Sequence, residues 1–131
     1  MDRKRSRMGQ YVRLPIDLET RVETLRLARA LRIAPAEVAI LFFRFTCWAD
    51  ANADGEKRVI GVDGGAVDAV VKHAGFFAAA AAAGMVQEVG SDETPEVIIF
   101  TDLVSSETWA VRLAQMDAEA ERKRRTRAAS G

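Results

Sequence analysis

The first third of the chain carries apolar residues at helical spacing. The pattern predicts a first helix from Leu18 to about Arg32, with Asp17 in a position suited to an N-cap. The face that we expect to be buried carries four apolar residues: Val22, Leu25, Ala28 and Leu31. Pro35 then begins a new helix, because proline is well tolerated in the first helical turn.

The second predicted helix, residues 35–52, is the most apolar segment of the chain. Only Arg44 interrupts its apolar run, and a helix that is apolar nearly all round belongs in the middle of a core. We therefore expect burial of its aromatic residues, which are Phe42, Phe43, Phe45 and Trp48. Stacking on unpaired bases is the alternative if they are exposed. Cys47 lies in the same run and is expected to be a small buried side chain.

Short elements follow the turn signal Asn52-Ala-Asp-Gly55. Residues 59–62 predict a strand, and Asp63 can cap a third helix that runs to about His73. Its candidate core contacts are Val67, Val70 and Val71. Gly75 ends this helix, and the alanine-rich residues 77–83 predict a fourth helix because alanine is the best helix former.

The last third predicts a β-hairpin followed by a long helix. Residues 85–89 and 96–101 are strand-like, and the link between them is rich in turn residues. Ser105 or Ser106 can cap the final helix, whose apolar stripe contains Trp109, Leu113, Met116 and Ala120. Two glutamates are each followed four positions later by a lysine or an arginine, and such i,i+4 ion pairs favour continuation of this helix into the basic C-terminal residues.

This order of elements predicts a mainly α protein with a small β-hairpin, of the α+β class. Two helices joined by a tight glycine turn and followed by a hairpin have the layout of a winged helix-turn-helix, here with an extra C-terminal helix. Residues 77–83 would be the recognition helix. We divide the chain into a basic arm (1–10), a winged-helix domain (11–104) and an amphipathic helix with a basic tail (105–131).

Charge is distributed very unevenly, although the formal net charge is +0. Residues 1–13 carry five basic and one acidic residue, and residues 122–131 carry five basic residues and no acid. The segment between them has nine basic and 18 acidic residues. Two cationic ends on an acidic body are suited to a polyanion, because each neutralised phosphate releases counterions.

The candidate DNA-binding residues are therefore mainly the cations of the two ends. They are Arg3, Lys4, Arg5, Arg7, Arg13, Lys72, Arg122, Lys123, Arg124, Arg125 and Arg127. The alternative for both ends is a solubilising tail, and Lys72 can instead stabilise the C-terminal end of its own helix. Arg21 or Arg26 could also help to position the body of the protein on DNA. Trp109, Leu113 and Met116 are the candidate contact with a second subunit or partner, the alternative being that Trp109 packs on the core.

Three segments resemble a known family. They are Leu27-Ala-Arg-Ala-Leu-Arg-Ile-Ala-Pro-Ala-Glu-Val38, Phe42-Phe-Arg-Phe-Thr-Cys-Trp-Ala49 and Asn52-Ala-Asp-Gly55. Together with Gly84-Met85-Val86 they resemble the N-terminal winged-helix domain of phage and prophage replication proteins, the replisome organisers and initiators, and related short phage helix-turn-helix proteins. The resemblance covers roughly residues 11–125. It implies DNA binding in a phage or phage-derived context, in replication initiation or transcriptional regulation.

Base-specific contacts are not expected from the usual surfaces of this fold. The predicted recognition helix carries alanines, whereas base edges are recognised by Arg, Asn, Gln, Lys and Glu. The predicted wing carries Asp92, Glu93 and Glu96, which would repel phosphates. We therefore expect phosphate-dominated binding to double-stranded DNA with weak sequence selectivity.

Other functional classes have less support from the sequence. The sequence contains no phosphate-binding glycine loop, no recognisable set of catalytic side chains and a single histidine. We therefore expect neither enzymatic activity nor a cofactor or metal. No membrane segment is predicted, and the expected location is the cytoplasm, in a bacterial host or phage-encoded. The alternative function is a protein-interaction adaptor that docks a replication or nuclease partner through its acidic, alanine-faced surface. A DNA-mimicking inhibitor is a third alternative, which the basic ends disfavour.

Overall fold

Five α-helices and a small antiparallel sheet form the computed structural model, which describes residues 12–130. The elements, in order, are a 3-10 turn (Leu18–Thr20), α1 (Val22–Leu31), α2 (Pro35–Asn52), β1 (Arg58–Ile60), α3 (Gly64–Val71), α4 (Phe76–Ala82), β2 (Val86–Gly90), β3 (Pro95–Ile99) and α5 (Trp109–Ser130). The prediction of a mainly helical α+β protein is confirmed.

The first predicted helix is divided into two parts. A 3-10 turn occupies its start, Arg21 is extended, and α1 begins only at Val22. Asp17 precedes the turn but its side chain makes no capping hydrogen bond. The predicted buried face is partly wrong, since Val22 is 57% exposed and Leu25 47%. The hydroxyl of Thr24 donates to the carbonyl of Leu18, so the turn lies against the face of α1 that carries Thr24.

Helix α2 has the predicted bounds but is not buried all round. One face forms the centre of the core: Val38, Leu41, Phe42, Phe45, Thr46 and Ala49. The ring of Phe76 lies edge-on to Phe42 with a centroid distance of 6.1 Å. The expected burial of Phe43 and Cys47 is wrong, because both lie on the opposite face, where Phe43 is 50% exposed. The other elements pack against α2 from one side only.

The pair α3 and α4 follows the prediction closely. Oδ1 of Asp63 accepts a hydrogen bond from the amide of Ala66 at 2.9 Å, so the predicted cap is confirmed. Val67 and Val71 are fully buried. Helix α3 ends slightly earlier than predicted, because Lys72 takes the left-handed conformation with φ 62°. Gly75, with φ 87°, begins α4 rather than ending α3.

The hairpin is confirmed, but it is part of a three-stranded sheet. Strand β3 lies in the middle and pairs antiparallel with both β2 and β1, so the order is β1-β3-β2. The register places Val97 opposite Val59 on one side and Glu88 on the other. Val59, Val97 and Ile99 are buried, so one face of the sheet completes the core.

Two adjacent glycines at the start of α3 should respond oppositely to alanine. A Cβ at Gly64 would lie 2.6 Å from Cδ2 of buried Phe77, whereas at Gly65 the nearest atom is Oδ1 of Asp63 at 3.4 Å. We expect Gly64→Ala to lower the free energy of unfolding by about 1–3 kcal/mol through overpacking. Gly65→Ala should raise it by about 0.5 kcal/mol because alanine favours the helix. Urea denaturation of both variants measures the free energy of unfolding, and equal changes in the two variants would contradict the close packing of Phe77 on Gly64.

Candidate nucleic-acid interface

The C-terminal cations lie on a helix that extends from the body. Helix α5 has 22 residues and is therefore about 33 Å long. Its side chains from Leu113 to Ala129 are exposed, apart from Ala120, which is intermediate. The prediction that the helix continues into the basic residues is confirmed, so these cations are presented on a helical surface.

Four of these cations pair with two glutamates of the same helix. Glu119 forms ion pairs with Arg122 at 3.3 Å and with Lys123 at 3.9 Å. Glu121 forms ion pairs with Arg124 and with Arg125, the latter at 3.5 Å. The two predicted i,i+4 pairs, Glu119–Lys123 and Glu121–Arg125, are thus confirmed. Exposed pairs of this kind contribute little stability, so a phosphate can compete for the same cations.

The start of α5 is held firmly on the body, but by a different residue from those predicted. The hydroxyl of buried Thr108 accepts from the amide of Val111 at 3.3 Å and donates to the carbonyl of Ala53 at 2.7 Å. Oδ1 of Asp50 accepts from the amide of Trp109 at 3.1 Å. The predicted caps Ser105 and Ser106 are therefore wrong. Ser105 accepts from the amide of Glu107 in the preceding turn instead.

Two opposite faces of α5 have different surroundings. One face lines a cleft against residues 52–55 with Val111, Ala114, Gln115 and Ala118. The opposite face, by helical geometry, carries the predicted apolar stripe of Trp109, Leu113, Met116 and Ala120. Leu113 is 37% and Met116 39% exposed. Trp109 is intermediate in exposure and lies under the guanidinium of Arg112, 5.4 Å from its ring centroid.

Several cations of the body are engaged within the fold. Two arginines form ion pairs: Arg21 with Glu23 and Asp102, and Arg58 with Asp54 and Glu56. Two other cations donate hydrogen bonds to backbone carbonyls, Arg44 to that of Val71 and Lys57 to that of Thr101. Burial lowers the pKa of Lys57, and Asp102 counteracts this shift. The hypothesis that Arg21 contacts DNA is weakened, because its charge is already compensated.

Two exposed cations each lie where a helix ends. Lys72 and Arg32 both follow the last residue of a helix and both have positive φ, 62° and 58°. The turn after Lys72 lies beside the end of α1, since a Cβ at Gly75 would be 3.7 Å from Cδ2 of Leu31. Lys72 therefore occupies the predicted place at a helix end. Arg32 is likewise exposed at a helix end, although the sequence analysis did not select it.

The remaining predicted cations are placed elsewhere. Arg3, Lys4, Arg5 and Arg7 lie outside the residues that the structure describes. Arg13 is exposed and lines a cleft of about 330 Å³ with three acidic residues, Asp50, Asp102 and Glu107, and a second cation, Arg112. The predicted DNA-binding cations within residues 12–130 thus lie in three places: the end of α5, the end of α3 with Lys72, and the cleft with Arg13.

Helix α4 and the hairpin tip present few groups that could recognise bases. Phe76, Phe77 and Ala80 are buried, and the exposed residues of α4 are Ala78 and Ala82. At the hairpin tip, Asp92 and Glu93 are exposed. Helix α4 therefore offers no side chain that can hydrogen-bond to a base edge, and the acidic tip would be repelled by the phosphates beside the groove.

Asp68 positions α4 relative to α3, a role that the sequence analysis missed. Its Oδ2 accepts from the amide of Gly75 at 3.0 Å, and its Oδ1 accepts from the amide of Phe77 at 2.7 Å. One carboxylate therefore holds the beginning of α4 from the middle of α3. An acidic residue seven positions before a glycine turn was the available signal, but only the tertiary structure reveals its partners.

The exposed thiol of Cys47 is not activated. Burial and the nearby Asp50 both raise its pKa, with burial the larger cause, and this favours the neutral thiol over the thiolate. Among residues 12–130 no group of three His, Cys, Asp or Glu side chains could hold a metal ion. In the same range no helix is both long enough and apolar enough to cross a membrane.

Comparison of the chain with models of protein families, with curated proteins and with solved structures gives no match.

Proposed function

We propose that this protein binds double-stranded DNA, mainly through phosphates, as a winged-helix protein of phage type without enzymatic activity. Its role would be in replication initiation or transcriptional regulation. The observation that carries the proposal is the exposed helical end of α5, where five cations are accompanied by only two glutamates.

The order of elements supports the winged-helix part of this proposal. From α2 onwards the chain runs helix, strand, helix, helix, strand, strand. The sheet order β1-β3-β2 places the hairpin beside the first strand, and α4 directly precedes the hairpin. In a winged helix these elements would be the recognition helix and the wing.

The composition of α4 and the hairpin tip favours phosphate contacts over base recognition. Alanine can touch a thymine methyl group but cannot form hydrogen bonds to base edges. Acidic Asp92 and Glu93 at the tip would keep it away from the phosphates. Affinity would therefore come from the cations of both chain ends and from Lys72 and Arg32 at the ends of α3 and α1, with weak sequence selectivity.

The test is binding of the intact chain to a labelled random duplex and to a matching single strand across a salt series. We expect stronger binding to the duplex and a linear fall of log affinity with log salt, with a slope of about −0.9 for each phosphate neutralised. An absence of duplex binding at low salt, or an affinity that salt does not change, would overturn the proposal.

A second function, docking of a replication or nuclease partner, is favoured by a different observation. Helix α2 exposes an apolar face that contains Ile40, Phe43 and Cys47, and α4 separately exposes Ala78 and Ala82. Such an adaptor would bind its protein partner at salt concentrations that abolish DNA binding. Phe43→Glu should remove this contact, whereas a loss of partner binding with rising salt would argue against it.

A further inference from the structure

We infer that only one of two opposite faces at the end of α5 holds the DNA, and that the helix lies across the phosphates of one strand instead of entering the major groove. The inference rests on the proposed function and adds to it the part of the helix that contacts the duplex. It follows from the way in which cations and acids are divided between the two faces.

The five cations of this helix end fall on opposite faces. An α-helix turns by about 100° per residue, so a residue shares its side of the helix with those three and four positions away. Arg122, Lys123 and Arg127 lie on one side together with Thr126, and these four side chains line one shallow groove on the helix surface. We call this side the Lys123 face. Arg124 and Arg125 lie on the opposite side, which we call the Arg124 face.

The charges of the Arg124 face are balanced. Glu121 forms ion pairs with both of its arginines, at 3.5 Å in the case of Arg125. A second acid, the exposed Asp117, lies one helical turn before Glu121 on the same side. Two negative charges therefore offset two positive ones, and this face attracts a phosphate only weakly.

The Lys123 face keeps an excess of positive charge. Its three cations are accompanied by one acid, Glu119, which lies 3.3 Å from Arg122 and 3.9 Å from Lys123. Within residues 12–130, Arg127 forms no ion pair. Exposed pairs such as those of Glu119 contribute little stability, so a phosphate can replace the carboxylate beside these cations. The excess charge corresponds to about two phosphate contacts.

This asymmetry selects the way in which the helix meets the duplex. The major groove of B-DNA is about 12 Å wide, and an α-helix with its side chains is about 10–12 Å across. A helix inside the groove therefore brings two opposite faces close to the two strands, and both faces would need cations in excess. Because only the Lys123 face has such an excess, the helix lies on the phosphates of one strand with the Arg124 face turned to solvent.

Two double variants with the same net charge test this arrangement. Lys123→Gln with Arg127→Gln should weaken binding to a random duplex about 10- to 30-fold at 0.1 M salt, and should reduce the slope of log affinity against log salt by about 1.8. Arg124→Gln with Arg125→Gln should weaken binding by no more than about threefold, because these cations face away from the strand. Fluorescence anisotropy measures both variants, and circular dichroism checks that α5 is intact. Equal losses, or a larger loss for the Arg124 face, would overturn the inference.

Protection of thiols by the duplex gives a second test that does not change the cations. In a Cys47→Ser background, Thr126→Cys places a thiol on the Lys123 face, and Ala128→Cys places one on the Arg124 face as a matched control. We expect a saturating duplex to slow alkylation by N-ethylmaleimide about tenfold for Thr126→Cys and less than about twofold for Ala128→Cys, since DNA covers one side of the helix. Equal protection would place the helix inside a groove and overturn the inference.

These experiments distinguish failure of the inference from failure of the proposed function. If the unmodified chain binds no duplex at low salt, the proposed function is wrong, and the inference about the two faces is wrong with it. If the unmodified chain binds the duplex but both double variants lose the same affinity, only the assignment of the Lys123 face is wrong.

Discussion

Replacing the five cations at the end of α5 with glutamine is expected to weaken binding to random duplex DNA about 10²- to 10³-fold at 0.1 M salt. The variant changes Arg122, Lys123, Arg124, Arg125 and Arg127. Two glutamates already offset part of their charge, so we count about three effective phosphate contacts. Loss of three contacts should also reduce the slope of log affinity against log salt by about 2.7. Fluorescence anisotropy across a salt series measures both quantities.

A matched variant raises the net positive charge of the same helix instead of lowering it. Glu119→Gln with Glu121→Gln removes the acidic partners of four of these cations, and we expect duplex affinity to rise several-fold. Glutamine preserves helix propensity in both variants, so circular dichroism should show α5 intact. If both variants bind DNA like the unmodified chain, the end of α5 is not part of the interface.

Asp68→Ala is expected to lower the free energy of unfolding by about 2–4 kcal/mol. The carboxylate of Asp68 accepts hydrogen bonds from the amides of Gly75 and Phe77, and its removal leaves both donors without this partner. The better helix propensity of alanine offsets a few tenths of a kcal/mol. Because these bonds fix where α4 begins, the position of α4 on the body should also become less well defined. Urea denaturation gives the stability, and amide hydrogen exchange of Gly75 and Phe77 reports the local loss.

Two further variants make this prediction specific. Asp68→Asn keeps one acceptor oxygen and should fall between the unmodified chain and Asp68→Ala. Asp92→Ala removes a carboxylate from the exposed hairpin tip and should change the stability by less than about 0.5 kcal/mol. If the urea midpoint of Asp68→Ala equals that of Asp92→Ala, the carboxylate of Asp68 does not hold α4 in place.

Local patterns predicted most of the elements because their signals lie within a few residues. Pro35 and the turn at residues 52–55 bound α2, Asp63 caps α3, and glycine-rich turns separate the short elements. The charge pairs along α5 were equally predictable, since helical spacing alone places Glu119 beside Lys123. The end of α5 as a cationic surface therefore followed directly from the sequence.

Burial was harder to predict, because it depends on which neighbours pack against a helix. An apolar run in α2 gave no indication that Phe43 and Cys47 face solvent, since only the packing of the other elements on one side decides this. The same applies to Val22 and Leu25, which are exposed because the body packs on the face of α1 that carries Thr24, Leu27 and Ala28. The true cap of α5, Thr108, could not be distinguished from Ser105 or Ser106 without its partner Ala53, 55 positions away.

The sequence by itself determined the order and type of the elements and the concentration of positive charge at the chain ends, because helix propensity, turn chemistry and charge are local properties. The tertiary structure decided which cations are compensated, as for Arg21 beside Asp102, and which remain exposed, as for Lys72 and Arg32. It also decided that the apolar stripe of α5 faces away from the body. These outcomes depend on contacts between residues far apart in the chain, and only folding brings such residues together.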